Sequence, residues 1–368
     1  MANPFDTDMM ARARRLARQG RYRTRPNPAV GCVLVRDGEV IGEGSTQPAG
    51  NNHAEIEALQ AARKAGHDPR GATAYVTLEP CSHTGKTGPC STALVEAGIA
   101  RCVIALQDPN PAVGGAGIKA LAQADIAVDI GVLESAAEAV NPGFLKRMKS
   151  GLPLVRLKLA ASLDGRSAMA SGESQWITGP DARADVQRLR GRSGAIVTGV
   201  DTVVADNPAL TVRDPALDIP DQPLRVVLDS TLRLPPDAAL LSQEGPVLVV
   251  CQQRTEAADA LEAAGAEVID LPGAERVDLP AVLKLLAERE VNEVLVECGA
   301  RLAGAFMHAG LVDELVLYQA ATLLGSNARP LLDLPIDTMA EQQRLTLKDV
   351  RRIGDDLRMV FTPAQTQK

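Results

Sequence analysis

The spacing of apolar positions changes several times along the chain, and each change predicts an element. Residues 29–44, AVGCVLVRDGEVIGEG, place two β-favouring runs around Asp37-Gly38 and predict a hairpin. HAEIEALQAARKAG then carries apolar residues at helical spacing and predicts a helix closed by Gly66. ATAYVTLEP (72–80) predicts a strand, CSTALVEAGI a helix and CVIALQDP another strand; GIKALAQADIAVDIGV predicts a helix leading into a short strand. This alternation predicts α/β layering around a mixed sheet. Ahead of it, MANPFDTDMMARARRLARQG reads as an amphipathic helix with its N-cap at Asp6 or Thr7.

Around residues 141–153, NPGFLKRMKSGLP, the pattern breaks into Pro, Gly and basic residues, which predicts a domain boundary. The expected domains are residues 1–146 and 153–364. The second opens with LVRLKLAASLDG and adds strand candidates at LRVVLDS, GPVLVVC, AEVIDL and EVLVECG. Helices are expected at DARADVQRLRGR and LPAVLKLLAER. A length of 368 residues suits two domains of ordinary size.

Composition narrows the setting. No apolar run is long enough to cross a membrane, and the N-terminal stretch lacks the apolar centre of a secretory signal. The expected compartment is the cytoplasm. A formal charge of −7 argues against a nucleic-acid binder. The basic stretch at residues 12–25 reads either as a solvated helix face or as a place for a phosphate. Cys32, Cys102, Cys251 and Cys298 sit in or at the end of apolar runs and read as core filler. Aromatic content is 2%, and the single tryptophan, Trp176, lies in the polar segment SGESQWITG.

Cys81 and Cys90 differ from the other cysteines because they lie in the polar stretch EPCSHTGKTGPC, downstream of His53-Ala54-Glu55. A His-x-Glu followed by Pro-Cys and a second Cys is the outline of a zinc deaminase. His53, Cys81 and Cys90 supply three ligands and leave a fourth position for water. Glu55 would shuttle a proton from the attacking water to the leaving amine. The eight residues between the cysteines exceed the usual two, but ligation needs only that both sulfurs meet one metal. His83, Thr84, Lys86 and Thr87 in that loop would supply donors for an anionic substrate tail, with Lys86 alternatively a solvated charge.

The second half has no G-x-G-x-x-G after its first strand, which argues against an ordinary dinucleotide domain. Its candidate phosphate cradle is EVLVECGARLAGAF, where a strand ends at Glu297 and a glycine turn leads into a helix. Such a turn can also carry glycine for geometry alone.

These motifs together resemble the bifunctional riboflavin biosynthesis proteins, in which a deaminase is fused to a reductase. RPNPAVGCVLV, HAEIEAL, AYVTLEPCSHTGKTGPC and ALQDPNPAVGGAGI look like the deaminase half; LKLAASLDGRSAMASGESQWITG and VVADNPALTVR look like the reductase half. The extended cysteine loop is itself a family feature. The resemblance implies a cytidine-deaminase-like three-layer domain followed by a dihydrofolate-reductase-like α/β domain. It also implies Zn2+, NADPH and a phosphoribosyl pyrimidine substrate. Asn27 would hold the pyrimidine ring, although Asn between two prolines is also ordinary turn chemistry; His83 and Lys86 join it as substrate contacts.

By the same resemblance, Ala160, Trp176, Thr202, Asp206 and Ser230 line the cofactor. So does the turn Gly299, Ala300, Arg301, Leu302, Ala303, Gly304 and Ala305. Ser174, Arg190, Leu210, Arg213 and Glu297 would contact substrate. Arg190 and Arg213 suit phosphate through their forked guanidinium, though Arg190 also fits an exposed helix position. Asp206 is the candidate for positioning or protonation in the reduction. Ser45 and Thr46 depart from the family, which commonly carries an aromatic-His pair there. A homo-oligomer is expected, with no nucleic-acid or membrane partner. Two other readings are a nucleoside or tRNA deaminase with an accessory domain, and a non-catalytic zinc-stabilised binding module. The acidic charge and long cysteine loop argue against the first, and Glu55 argues against the second.

Overall fold

The computed structural model describes residues 3–82, 88–110 and 113–364. The chain divides into two compact units, Met1–Gly151 and Leu152–Lys368. Each has its own sheet.

In the first unit the order is α1 (Pro4–Gly20), β1 (Gly31–Arg36), β2 (Glu39–Ser45), α2 (Ala54–Lys64), β3 (Thr73–Val76), α3 (Cys90–Glu96) and β4 (Arg101–Ile104). Then come α4 (Ala116–Gln123), β5 (Ala127–Ile130), α5 (Glu134–Glu138) and α6 (Pro142–Ser150). The sheet runs β2-β1-β3-β4-β5, with β1 antiparallel to both neighbours and β3, β4 and β5 parallel. Asp37 and Gly38 both take positive φ, 53° and 81°, as the predicted hairpin turn requires.

The period-two pattern explains the layers. Cys32 and Leu34 face a core shared with Ala58 and Leu59 of α2, Leu94 of α3 and Phe144 of α6. Val33 and Val35 face the opposite core, with Met10 and Ala13 of α1. Two helices approach the sheet so closely that only glycine fits beneath them. A Cβ at Gly31 would collide with the Ala13 carbonyl, and one at Gly44 with that of Ala54. The second contact presses the start of α2 onto β2.

Two local expectations change. The cap of α1 is Asn3, whose side chain accepts from the Phe5 amide at 3.1 Å. Asp6 is instead buried under the helix, accepting from Tyr75 Oη at 2.7 Å and from both arms of Arg101 at 2.9 Å. A cap candidate with a long-range cation within reach is drawn into an ion pair. The stretch read as a break at residues 141–153 contains α6, with Phe144 and Leu145 buried in the first core. Pro142 opens this helix and Gly151 (φ 71°) closes it, so both helix-breaking residues serve as ends.

The second unit contains β6 (Leu154–Ala161), β7 (Arg166–Ala168), α7 (Pro180–Arg192), β8 (Ala195–Gly199), α8 (Val200–Asp206), β9 (Leu224–Leu228), β10 (Val247–Cys251) and α9 (Ala257–Ala263). It continues with β11 (Ala266–Asp270), α10 (Leu279–Glu288), β12 (Glu293–Glu297), α11 (Ala300–His308), β13 (Glu314–Gln319), β14 (Arg329–Pro330), β15 (Leu345–Ile353) and β16 (Asp356–Pro363). Nine strands form one sheet in the order β11-β10-β9-β8-β12-β6-β13-β16-β15. It is parallel through β13, and β16 and β15 close it antiparallel. Near-continuous apolar runs such as VLVVC are what a strand covered on both faces demands.

Charge is also built into this sheet. Arg156 on β6, 2% exposed, pairs with Glu293 at 2.9 Å and Glu314 at 2.6 Å. Arg192 meets Glu293 at 2.8 Å. Burial pushes the Glu293 carboxyl up, but Arg192 and Arg156 outweigh it and hold Glu293 at about 2.

Candidate active sites

In the first unit, His53 is the residue before α2 and Cys90 is the first residue of α3, while Cys81 follows β3 by a short extended segment. His53 Nδ1 lies 3.6 Å from Cys81 Sγ and 3.4 Å from Cys90 Sγ. All three donor atoms fall within 4.8 Å of one another. A tetrahedral zinc with ordinary Zn–N and Zn–S bonds requires N···S edges of about 3.5 Å, so the donor set fits that ion.

The electrostatics of the two sulfurs point the same way. The Cys90 thiol hydrogen-bonds Cys81 and, with His53, brings Cys81 down to about 4, while Cys90 itself is pushed up by the Cys81 sulfur and by burial. Two thiolates need a cation between them. The amide of Cys90 donates to Cys81 Sγ at 3.4 Å. The start of α3 therefore supports the charge on Cys81 rather than that on its own first residue. Glu55 is 3% exposed, and burial first, then the Cys81 sulfur, raise it to about 7. That suits a group that both takes and gives a proton near neutrality.

Sequence reading did not single out Glu79. This buried carboxylate accepts four backbone amides: Asp108 at 3.1 Å and Gly115 at 3.0 Å on Oε2, Gly117 at 2.9 Å and Ile118 at 3.1 Å on Oε1. A Cβ on Gly117 would strike the Pro80 carbonyl, so α4 sits directly on the segment leading to Cys81. The signal was present as a Glu-Pro-Cys run, but its partners lie about thirty to forty residues on.

Asn27 is half-buried, and its amide donates to Thr24 O at 2.8 Å. Thr46 is buried with its hydroxyl on the Val30 main chain. His83 and Lys86 lie outside the described residues.

In the second unit the predicted residues gather in groups. Ser174 Oγ donates to Asp206 Oδ1 at 3.0 Å. Thr202 Oγ1 accepts from the Gly299 amide at 3.3 Å. Gly299 stands between β12 and α11, and a Cβ there would meet nothing within 4 Å, so the approach to the helix start is open. That fits a dinucleotide phosphate held by Gly299 to Ala305. Gly304 instead serves packing, since a Cβ would strike the Asp333 carbonyl. Trp176 is 67% exposed, with the Arg183 guanidinium 4.5 Å from its ring centre. Ser230 Oγ accepts from the Val277 amide at 3.3 Å. Ala160 lies on β6 opposite Tyr318 of β13. Leu210 is buried, and Arg213 is exposed with its amide on Gln187 at 2.8 Å.

Arg190 is neither an exposed helix residue nor an open phosphate fork, the two readings its sequence allowed. Its Nε and Nη2 meet Glu297 at 2.6 and 3.1 Å, and Nη1 donates to the Thr211 carbonyl at 3.0 Å. The fork is taken by Glu297 because α7 packs over β12. Lys158, absent from the predicted set, lies 3.8 Å from the same carboxylate. Burial lowers the Lys158 ammonium against the opposing pull of Glu297. Only the β6–β12 pairing, which sets Lys158 opposite Glu297, makes it visible.

A zinc-type deaminase unit joined to a dihydrofolate-reductase-like unit defines a two-headed enzyme. Residues 4–106 match the cytidine and deoxycytidylate deaminase zinc-binding region, and residues 153–359 match the RibD C-terminal domain. The Escherichia coli riboflavin biosynthesis protein RibD is 49% identical over 364 residues, covering 96% of this chain and 98% of that protein. Acinetobacter baumannii RibD superposes with a TM-score of 0.90 at 45% identity, over 98% of this chain and 99% of that one. The Thermotoga maritima diaminohydroxyphosphoribosylaminopyrimidine deaminase/5-amino-6-(5-phosphoribosylamino)uracil reductase has a TM-score of 0.87 at 31% identity, over 98% and 99% of the two chains. The chain belongs to the RibD family of riboflavin biosynthesis proteins. It is a zinc-dependent deaminase and an NADPH-dependent reductase. Among the described residues, no helix is long and apolar enough to cross a membrane.

Proposed function

We propose that the two units act in succession on one phosphoribosyl pyrimidine. The first hydrolyses the amine of 2,5-diamino-6-(5-phosphoribosylamino)pyrimidin-4(3H)-one, and the second reduces the ribosyl group of the resulting uracil to ribityl. The observation that carries the first step is the convergence of His53, Cys81 and Cys90 with a buried Glu55 beside them. A structural zinc site has no use for that carboxylate. His53, Cys81 and Cys90 would hold the cation, which when bound supplies Lewis acidity that activates water at neutral pH. Glu55 takes a proton at its carboxylate oxygen and returns it to the departing amine. Its burial excludes competing bulk water. Asn27 orients the ring, and His83 and Lys86 take the phosphoribosyl tail.

In the second unit Ala160, Trp176, Thr202, Asp206, Ser230 and the turn Gly299–Ala305 would hold NADPH, which when bound would supply a hydride. Ser174, Leu210 and Arg213 receive the substrate. Arg190 is better supported as the residue that fixes Glu297 than as a phosphate clamp, because its fork is filled. Glu297 in turn orients Lys158, which we assign as the donor of the accompanying proton; burial with a lowered ammonium pKa supports this role. Exposed Leu347, Val350 and Leu357 on β15 and β16 support a homo-oligomer through this sheet edge. A cytoplasmic location completes the reading.

The decisive assay supplies the diaminopyrimidine phosphate with and without NADPH and resolves both products. Without NADPH the deaminated ribosyl compound accumulates; with it the ribityl compound forms. Release of ammonia without any NADPH oxidation on the deaminated compound would rule out the second step. Lys158→Met should slow reduction while leaving the NADPH Kd unchanged.

A further inference from the structure

Residues 174–178 form a strap that carries Ser174 and Trp176 between two fixed points. Ahead of it a turn follows β7, with the Gly172 amide on the Met169 carbonyl at 2.9 Å and the Met169 amide on the Glu173 carbonyl at 2.8 Å. Ser174 Oγ then donates to Asp206 at 3.0 Å. Behind the strap stands Gly179, the cap residue of α7, which has no side chain with which to fix the helix start. The tie comes from another element. Asp356, the first residue of β16, is 4% exposed, and its Oδ2 accepts from the Gly179 amide at 2.7 Å.

This tie serves the strap rather than the helix behind it. α7 is held independently, with Ala182, Val186 and Leu189 buried against Leu295, Val316 and Tyr318. Asp185 of the same helix accepts from Tyr318 Oη at 2.7 Å and lies 3.1 Å from Arg358 Nε. The turn before Asp356 is fitted to the same place: Gly354 takes φ 58°, and a Cβ there would collide with the Asp181 carboxylate. Burying a carboxylate is costly, and a charge-assisted hydrogen bond from a backbone amide offsets that cost. From the near side, Arg183 in the first turn of α7 donates from Nη1 to the Thr178 carbonyl at 2.6 Å. The same guanidinium lies 4.5 Å from the centre of the Trp176 ring.

We propose that Asp356 and Arg183 are positioning residues of the reductase. They fix the strap at its C-terminal end, so that Ser174 and Trp176 stand ready for substrate and cofactor. Asp356 acts through the Gly179 amide, and Arg183 through Thr178 and the indole ring. The inference rests on the placement of Ser174 at the substrate and Trp176 at the cofactor. Without the ties the strap spends part of its time out of place, and apparent affinity falls by that fraction. The antiparallel hairpin at the far side of the sheet thereby supports a site built at the ends of parallel strands.

The test compares Asp356→Ala, Asp356→Asn and Arg183→Ala in the full chain. Asp356→Ala should raise the reductase KM for the deaminated compound about tenfold, the range of a lost charge-assisted hydrogen bond. It should also lower the anisotropy of Trp176 emission. Asp356→Asn keeps an oxygen that can accept from the Gly179 amide and should restore most of both. Arg183→Ala should lower the anisotropy and raise the NADPH Kd. Deamination and far-UV circular dichroism should match wild type in all three, which separates a displaced strap from a misfolded chain. Wild-type KM and anisotropy in Asp356→Ala, or equal damage in Asp356→Ala and Asp356→Asn, would overturn the proposal. If Ser174→Ala and Trp176→Phe leave the reductase KM and the NADPH Kd unchanged, the placement of ligands on the strap is overturned instead.

Discussion

The two sites are built on opposite plans. In the first unit the chemistry is carried by two short stretches, His53 to Glu55 and Cys81 to Cys90; His53 and Cys90 lie at helix starts, and Cys81 lies in the segment after β3. In the second unit the candidate residues run from Lys158 to Ala305 and come from the ends of several parallel strands. A metal centre needs a few donors within bonding reach, and two helix starts beside one sheet provide that. A dinucleotide and a second substrate need a long surface, and the edge of a parallel sheet provides it. The plans also differ in how charge is held. The first site keeps a proton on or off one buried carboxylate, while the second anchors carboxylates with arginines drawn from other elements.

The sharpest way to break this contrast is Glu55→Gln. Deamination should fall by about 10²–10⁴-fold, the usual loss for a general acid–base. Zinc content by atomic absorption should stay unchanged, and reduction of supplied deaminated intermediate should persist. If reduction also collapses, the two sites are not separable.

Next in size is the charge inside the second sheet. Glu293→Ala strands Arg156 and Arg192 and should cost about 3–5 kcal/mol of unfolding free energy in a urea melt. The wild type carries the matching acid signature. Glu293 has its folded pKa below the unfolded value, so its contribution is present above pH 4.5 and is lost as pH falls toward 2. In the variant this part of the acid loss should disappear.

A smaller effect separates ligands from their support. Glu79→Ala should weaken zinc binding about 10- to 100-fold in a chelator competition, as loss of residues supporting metal ligands does. Glu79→Gln, which can still accept at one oxygen, should lie between. Unchanged affinity in both variants would confine Glu79 to holding α4.

The smallest readout uses Trp176. It is the only tryptophan, so all tryptophan emission comes from one place in the second unit. NADPH should quench it saturably, and NADH only at higher concentration. Constant emission at an NADPH level where calorimetry shows full binding would remove Trp176 from the cofactor site.

Some of this was decided by residue order alone. Asp37-Gly38 specifies a hairpin because those residues tolerate positive φ, and VLVVC specifies a strand covered on both sides. His53, Glu55, Cys81 and Cys90 were legible because deaminase chemistry needs those residue types in that order. Other features depend on partners distant in sequence. Nothing near Asp6 announces Arg101, which turns a cap candidate into a buried ion. Nothing near Arg190 announces Glu297, which turns a phosphate fork into a structural pair. Lys158 is unremarkable in its own segment. It gains meaning only when the pairing of β6 with β12 sets it opposite Glu297. Local sequence sets backbone preference and chemical type, whereas the meeting of charges across a sheet is set by register and layer packing, which no short window contains.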